Sequence, residues 1–340
     1  MNVRGPSNGL EPATGRSRAA WFLGPVLALA LLPSNVVATA LPLLRIEWNA
    51  SGAELGVVFA AYQAGYVAAV LLVLPLTDRV PPGRVIAICA TATGLSFVAF
   101  PLLAYDVVSA SLLRALSGIG LAGVYMPGAR VVSASCSPER RGLAVSAYVS
   151  AFYLGAAVSL WATGVLLPLG GWRPAALVLG AISVAALPLA ILGTRGAPSP
   201  RGSTSRLRLT PLRNGPVLRT ILAYTGHSWE LYVSRGWLAA YLAAVLSARG
   251  LGPIESASQG GQLSALMAGL GTAGVWLGGH FSDRWGRARA ALAIALASGL
   301  ISLGFGWLGS VSWEALLIIG CLYGLLVAAD SGIYTTSITE

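Results

Sequence analysis

The sequence predicts an all-α polytopic membrane protein, and three observations carry that reading. Of 340 residues, 56% are hydrophobic and only 10% are charged, against roughly a quarter charged in soluble domains. Mean hydropathy is +0.74. The apolar residues form blocks of about 20 or more, each long enough as a helix to cross a hydrocarbon core ~30 Å thick. Short Arg-bearing loops separate the blocks, so the solvent for this fold is lipid.

Taken in order, spanning helices are predicted at 20–44, 53–76, 84–104, 107–131, 142–168, 174–193, 218–246, 260–281, 288–308 and 313–337. The first follows Arg16 and Arg18 and meets Ala38-Thr39-Ala40, superficially a leader cleavage site. Its run from Trp21 is too long for a signal-peptide core, so it reads as a retained helix. After the sixth span, residues 194–217 are rich in Pro, Ser, Gly and Arg without apolar periodicity, the composition of a flexible linker. The chain therefore divides into a tail (1–19), a six-helix bundle (20–193), a basic linker (194–217) and a four-helix segment (218–340).

Orientation follows from Arg placement, because cytoplasmic loops retain positive charge. Seventeen Arg fall on one side: in the tail, in alternate loops including Arg79, Arg84, Arg130, Arg140 and Arg141, in the linker, and at Arg284, Arg287 and Arg289. Only Arg45, Arg173 and Arg249 fall on the other side. Both the N-terminus and residue 340 are thus expected in the cytoplasm, and the chain in a bacterial inner membrane.

The net charge of +10 does not indicate nucleic acid, since the chain has no Lys and its Arg are not gathered on one amphipathic face. Cys89, Cys136 and Cys321 have neither metal-ligand spacing nor the pattern of a disulfide framework. No cofactor or metal is expected. An enzyme is not expected either: there is no His-Glu-x-x-His pair, Gly-x-Ser-x-Gly elbow or phosphate-cradling loop.

An internal repeat is visible. Leu76-Thr77-Asp78-Arg79 with Arg84 follows the second span, and Phe281-Ser282-Asp283-Arg284-Trp285-Gly286-Arg287 follows the eighth. Asp beside several Arg at helix ends can form charge-assisted contacts that exist in one conformation and break in another. Solvation and positive charge in a short turn are the plainer reading of either copy.

In these loops the chain resembles the major facilitator superfamily, whose motif runs approximately Gly-x-Leu-Ala-Asp-Arg-x-Gly-Arg. The copy from Gly279 to Arg287 fits well. In the first copy Leu74 replaces the opening Gly and Pro81-Pro82 displaces the later one. Arg114-Ala115-Leu116-Ser117-Gly118-Ile119-Gly120 in span four is similar to the family's Arg-x-x-x-Gly-x-Gly pattern, and Gly171-Trp172-Arg173 to a common outer turn. The Gly-Pro pair of many family drug antiporters is absent from span five. The resemblance implies two six-helix bundles, alternating access and, for Arg114, a link to proton coupling. It also implies twelve helices, so the ten present read as six plus four of an expected six plus six. The loop carrying Asp78 would then dock on an eleventh helix.

Charge inside a span is expensive and marks functional candidates. Besides Arg114, these are His227, Glu230 and Arg235 in span seven and Asp330 in span ten. His227 and Glu230 are three residues apart and share a face; Glu230 and Arg235 lie ~140° apart and are a poor intrahelical pair. A buried Glu beside a His can exchange a proton near neutral pH. Interhelical pairing for structure is the alternative, and Asp330 can equally sit near the cytoplasmic interface. Tyr62, Tyr66, Trp161 and Trp276 either line a cavity or simply pack.

The function expected from these features is proton-coupled secondary transport of a small molecule or ion, by a monomer in the bilayer. Arg114 and Arg235 would attract an anionic substrate while Glu230, His227 or Asp330 carries the proton. A transporter-like membrane sensor, or a fragment lacking two helices, is the alternative. Substrate and direction stay open.

Overall fold

The computed structural model describes residues 18–72, 74–197 and 213–339. Thirteen α-helices account for the ten predicted spans, because three spans are broken. Span one is α1 (Arg18–Leu31) and α2 (Val36–Glu47), interrupted where Pro33 lacks an N–H donor and clashes with the preceding turn. Then come α3 (Gly52–Leu72) with a 3-10 turn at Leu74–Asp78, α4 (Pro82–Leu103), α5 (Val107–Ala134) and α6 (Pro138–Leu166). Span six is α7 (Trp172–Ser183) with α8 (Ala186–Thr194).

Next are α9 (Gly215–Ala248), α10 (Pro253–Trp285) and α11 (Arg287–Gly304). Span ten is α12 (Trp313–Ala329) and α13 (Ser331–Thr339), broken at Asp330.

Among the described residues, nine of these spans are long and apolar enough to cross a membrane. The tenth, α10, has 33 residues, about 50 Å of helix at 1.5 Å per residue, and is less apolar. Apart from Met267, its buried stripe consists of small residues, among them Gly260, Gly261, Ser264, Gly271, Gly274 and Gly278, which lets it pack closely on α6, α9 and α12. Several helices overrun the predicted spans; Arg130, expected in a loop, lies within α5.

The sequence repeat has a packing counterpart. A methyl added at Gly118 of α5 would overlap the Tyr62 carbonyl of α3, and one at Gly324 of α12 would overlap the Met267 carbonyl of α10. Gly65 is confined as severely, against the Ala115 carbonyl of α5, and Gly271 less so, against Gly324 and Ala328 of α12. Positions 118 and 324, like 65 and 271, differ by 206, close to the 205 between Asp78 and Asp283.

Contacts between residues 18–194 and 215–339 gather from mid-span toward the end that carries residues 47–52, 167–172 and 248–253. There Ser258 Oγ donates to the Gly164 carbonyl at 2.7 Å, Thr39 and Leu160 crowd Gly261, and Trp237 packs on Gly52 and Gly56. The same end is clamped by Arg173, whose Nη2 meets Glu47 Oε1 at 2.8 Å and the Ala104 carbonyl at 3.0 Å. Trp172 Nε1 donates to Glu47 Oε2 at 2.6 Å. The Gly-Trp-Arg turn thus ties spans one, three and six together.

Candidate functional site

Two predicted candidates meet directly. His227 Nδ1 lies 2.8 Å from Asp330 Oδ1, and its Nε2 lies 2.7 Å from Ser331 Oγ. All three residues are buried. The break between α12 and α13 makes this possible: Asp330 closes α12, and its carbonyl receives the Ile333 and Tyr334 amides. Tyr224 stacks on the imidazole with ring centres 5.9 Å apart, and Tyr334 packs at 5.7 Å. Tethered on both nitrogens and flanked by rings, His227 has little freedom to reorient.

Glu230, one turn along α9, belongs to the same neighbourhood. Ser298 Oγ of α11 donates to its Oε2 at 3.1 Å, while Oε1 is buried without a hydrogen-bond partner. Asp330, His227 and Tyr323 all interact electrostatically with this carboxyl group. Spans seven, nine and ten therefore converge on a cluster of three titratable side chains. Among the described residues no metal-ligand cluster is formed.

Arg235 points elsewhere. It borders a partly enclosed cavity at mid-depth, together with Tyr153 of α6, Ser234 of α9, Ser264 and Met267 of α10 and Tyr323 of α12. The cavity offers ≈ 40 Å³ to the centres of water-sized molecules, room for about three waters. Its guanidinium carbon sits 5.5 Å from the Phe152 ring centre and 5.0 Å from that of Tyr153. Arg235 and Glu230 form no ion pair, as their angular separation on the helix predicted.

Arg114 is not on this cavity. It is 2% exposed, its Nη1 donates to the Ser34 carbonyl at 2.8 Å, and its guanidinium carbon lies 4.3 Å over the Tyr62 ring. The break in span one frees the Ser34 carbonyl, and Arg114 occupies it. Across the same break, Asn35 donates its backbone N–H to Ser159 Oγ at 2.9 Å and its Nδ2 to the Ala156 carbonyl at 3.0 Å.

In the second loop motif, Gly286 ends α10 and begins α11 at φ 81°, a region that disfavours other residues. Gly279 has open space where a Cβ would lie. Asp283 and Arg284 are exposed and form no ion pair among the described residues. In the first motif Arg79 and Arg84 are exposed, and Arg130 Nη1 donates to Thr77 Oγ1 at 3.0 Å. The side chain of Asp78 lies outside the described residues.

Of the aromatic residues considered for a cavity, Tyr62 packs beneath Arg114, and Trp161 and Trp276 are 53% and 72% exposed. The cavity's rings are Tyr153 and Tyr323 instead. Ser264, Ser298 and Ser331 carry no signal of their own in the sequence, because Ser in a span is common and only helix rotation distinguishes these. Pro33-Ser34-Asn35 inside an apolar run was the available signal for the first break.

The family description that fits this sequence is Major Facilitator Superfamily, over residues 23–340. A probable sulfoacetate transporter of Cupriavidus necator is 27% identical across 73% of this chain and 60% of its own length. The 4-hydroxybenzoate transporter PcaK of Acinetobacter baylyi is 31% identical over 48% of this chain and 38% of its own. The chain thus spans about 60% or less of these curated relatives. A bacterial homologue of the human lysosomal transporter Spinster, inward-facing and occupied, superposes with a TM-score of 0.72 at 17% identity, over 95% of this chain and 77% of that one. The xylose transporter XylE of E. coli, partially occluded and inward open, gives 0.72 at 13% identity, over 96% and 85%. These likenesses establish the fold.

Proposed function

The chain belongs to the Major Facilitator Superfamily, and from that premise we propose that it carries a small solute across a bacterial inner membrane by alternating access, with proton coupling. The observation that carries this reading is the mid-depth cavity, whose lining comes from α6 on one side and from α9, α10 and α12 on the other. Residues 20–193 and 218–340 act as the two moving bodies. Their contacts gather at the end away from the Arg-rich loops, so with the Arg-rich face in the cytoplasm this conformation opens inward. Rocking about the site would exchange those contacts for others at the cytoplasmic end.

Protons are carried by the His227–Asp330–Glu230 cluster, beside the cavity but not in it. The shared element is Tyr323, which lines the cavity and interacts with Glu230. Filling the cavity thereby alters the surroundings of the proton-binding group. The loop motifs around Asp78 and Asp283 act as cytoplasmic latches, and the carrier works as a monomer.

The test is flux into proteoliposomes of purified full-length chain, with sulfoacetate, gallate and 4-hydroxybenzoate, the solutes for which relatives are named, and xylose as first panel. Uptake that rises with an inward proton gradient and collapses with a protonophore is the expected result. Uptake indifferent to the gradient would remove proton coupling, and absence of saturable flux for every solute would weigh against transport itself.

A further inference from the structure

The cavity holds a cation that the fold leaves unneutralised. Arg235 stands near the middle of α9, where an unpaired charge costs at least ~2.5 kcal/mol on insertion scales. No described residue accepts a hydrogen bond from it or pairs with it. Neither nearby carboxylate pairs with it: Glu230 turns Oε2 to Ser298 Oγ of α11 and keeps Oε1 without a hydrogen-bond partner, and Asp330 is joined to His227. Among the described residues, no acidic side chain lines the cavity.

The Phe152 and Tyr153 rings attract the guanidinium without cancelling its charge. The planar N–H fork, five donors in all, is left for something that is not protein.

A second group points to the same occupant. Ser264 is 2% exposed and its Oγ is buried with no hydrogen-bond partner, yet the residue lines this cavity. A buried hydroxyl left unsatisfied is destabilising, and native structures usually supply a partner. One fixed cation and one idle hydroxyl, in a space sized for about three waters, match an oxyanion group of a few atoms. A cation would meet repulsion from Arg235. A neutral sugar would find few polar partners among Leu160, Leu231, Leu238 and Met267.

We propose that this cavity binds the carboxylate or sulfonate head of a small organic anion, with Arg235 supplying the charge and Ser264 a hydroxyl donor. The inference rests on the transport reading only in taking the cavity as the solute site. Arg114 takes no part, since it is committed to the break in span one. The head group lies against Arg235, and the rest of the molecule extends along the rings of Tyr153 and Tyr323.

The experiment measures binding apart from transport. Purified full-length chain is titrated with benzoate, benzenesulfonate, benzamide and benzylamine, following ligand-induced thermal shift and calorimetric affinity. Benzoate or benzenesulfonate should bind, with benzamide and benzylamine at least tenfold weaker. Arg235→Gln should lose at least about tenfold in anion affinity, which is ~1.4 kcal/mol. Arg235→Lys should keep most of the affinity, and Ser264→Ala should lose about threefold, near 0.7 kcal/mol on the same scale.

Equal binding of benzoate and benzamide overturns the proposal, as does anion affinity unchanged in Arg235→Gln, or no anion binding at all. Arg235→Lys and Ser264→Ala keep the question decidable if Arg235→Gln fails to fold. Flux in the same vesicles separates the two readings. Anion binding without transport would sink the carrier and leave the site. Transport of a neutral or cationic solute, undiminished by Arg235→Gln, would sink the site and leave the carrier.

Discussion

His227 Nδ1 and Asp330 Oδ1 lie 2.8 Å apart and join span seven to the break in span ten. If this pair were only structural, every substitution in it would lower stability and activity together. If it carries a proton, Asp330→Asn should keep the hydrogen bond while removing the titration. Its expected signature is loss of at least tenfold in gradient-driven accumulation, about 1.4 kcal/mol, with counterflow exchange preserved. His227→Ala, which takes the imidazole away from the buried Asp330 carboxyl, should cost about 1–3 kcal/mol in stability. Thermal unfolding in detergent checks the second result and proteoliposome flux the first.

Arg114 holds the first break as His227 holds the last. Arg114→Ala strips the Ser34 carbonyl of its donor and leaves the Tyr62 ring over a cavity, which should lower stability by about 1–3 kcal/mol. Because Arg114 does not touch the mid-depth cavity, solute affinity in the surviving protein should be close to that of the parent. A large affinity loss with unchanged melting temperature would contradict this assignment.

The span pattern was legible because lipid leaves little choice: a long apolar block must become a helix. What hydropathy could not locate were the helix ends beyond the hydrocarbon and the breaks at 32–35 and 330, which depend on partners distant in sequence, such as Ser159 for Asn35 and His227 for Asp330. The same limit applied to the site. Charged residues in spans seven and ten stood out singly, since each violates the solvent. Their grouping depended on helix rotation, which placed His227 and Glu230 toward Asp330 and turned Arg235 toward Tyr153. Ser264 was invisible because its importance lies in a partner it lacks.

The two glycines of the second loop motif should behave differently. At Gly286, with φ 81°, a side chain is strained wherever it points, so Gly286→Ala should cost about 1–3 kcal/mol. Gly279→Ala meets open space and should leave the melting temperature nearly unchanged. If position 279 is crowded only in another state of the carrier, that variant will lower flux without lowering stability. Measuring both quantities on both variants separates a turn requirement from a gate requirement.

A pH effect is predicted at Asp106, in the exposed turn between α4 and α5 and outside the spans. Its Oδ1 accepts the Ser109 amide at 2.7 Å and the Ser109 hydroxyl at 2.6 Å, and these bonds hold its carboxyl below the usual carboxylate pKa. A depressed folded-state value means that the stabilisation is full above the unfolded pKa, roughly 3.9, and is lost as pH falls through the folded one. Asp106→Asn should therefore melt below the parent at neutral pH, and the two curves should converge in acid. Parallel curves down to the lowest pH would show that the cap is not titrating.

The matched glycines offer the sharpest test of the repeat. Gly118 and Gly324 each admit a neighbouring carbonyl, from Tyr62 and Met267, where a Cβ would sit. An added methyl must push helices apart, because backbone oxygen cannot swing aside as a side chain can. Overpacking of this kind costs typically about 1–3 kcal/mol, and both Gly118→Ala and Gly324→Ala should show it in thermal unfolding. Gly269→Ala, two residues from the Gly271 contact but facing away from it, with nothing within 4 Å, is the control. It should be neutral or slightly stabilising, since Ala exceeds Gly in helix propensity by about 0.8–1.0 kcal/mol. Equal losses at all three positions would mean that helix flexibility, rather than close approach, is what these glycines provide.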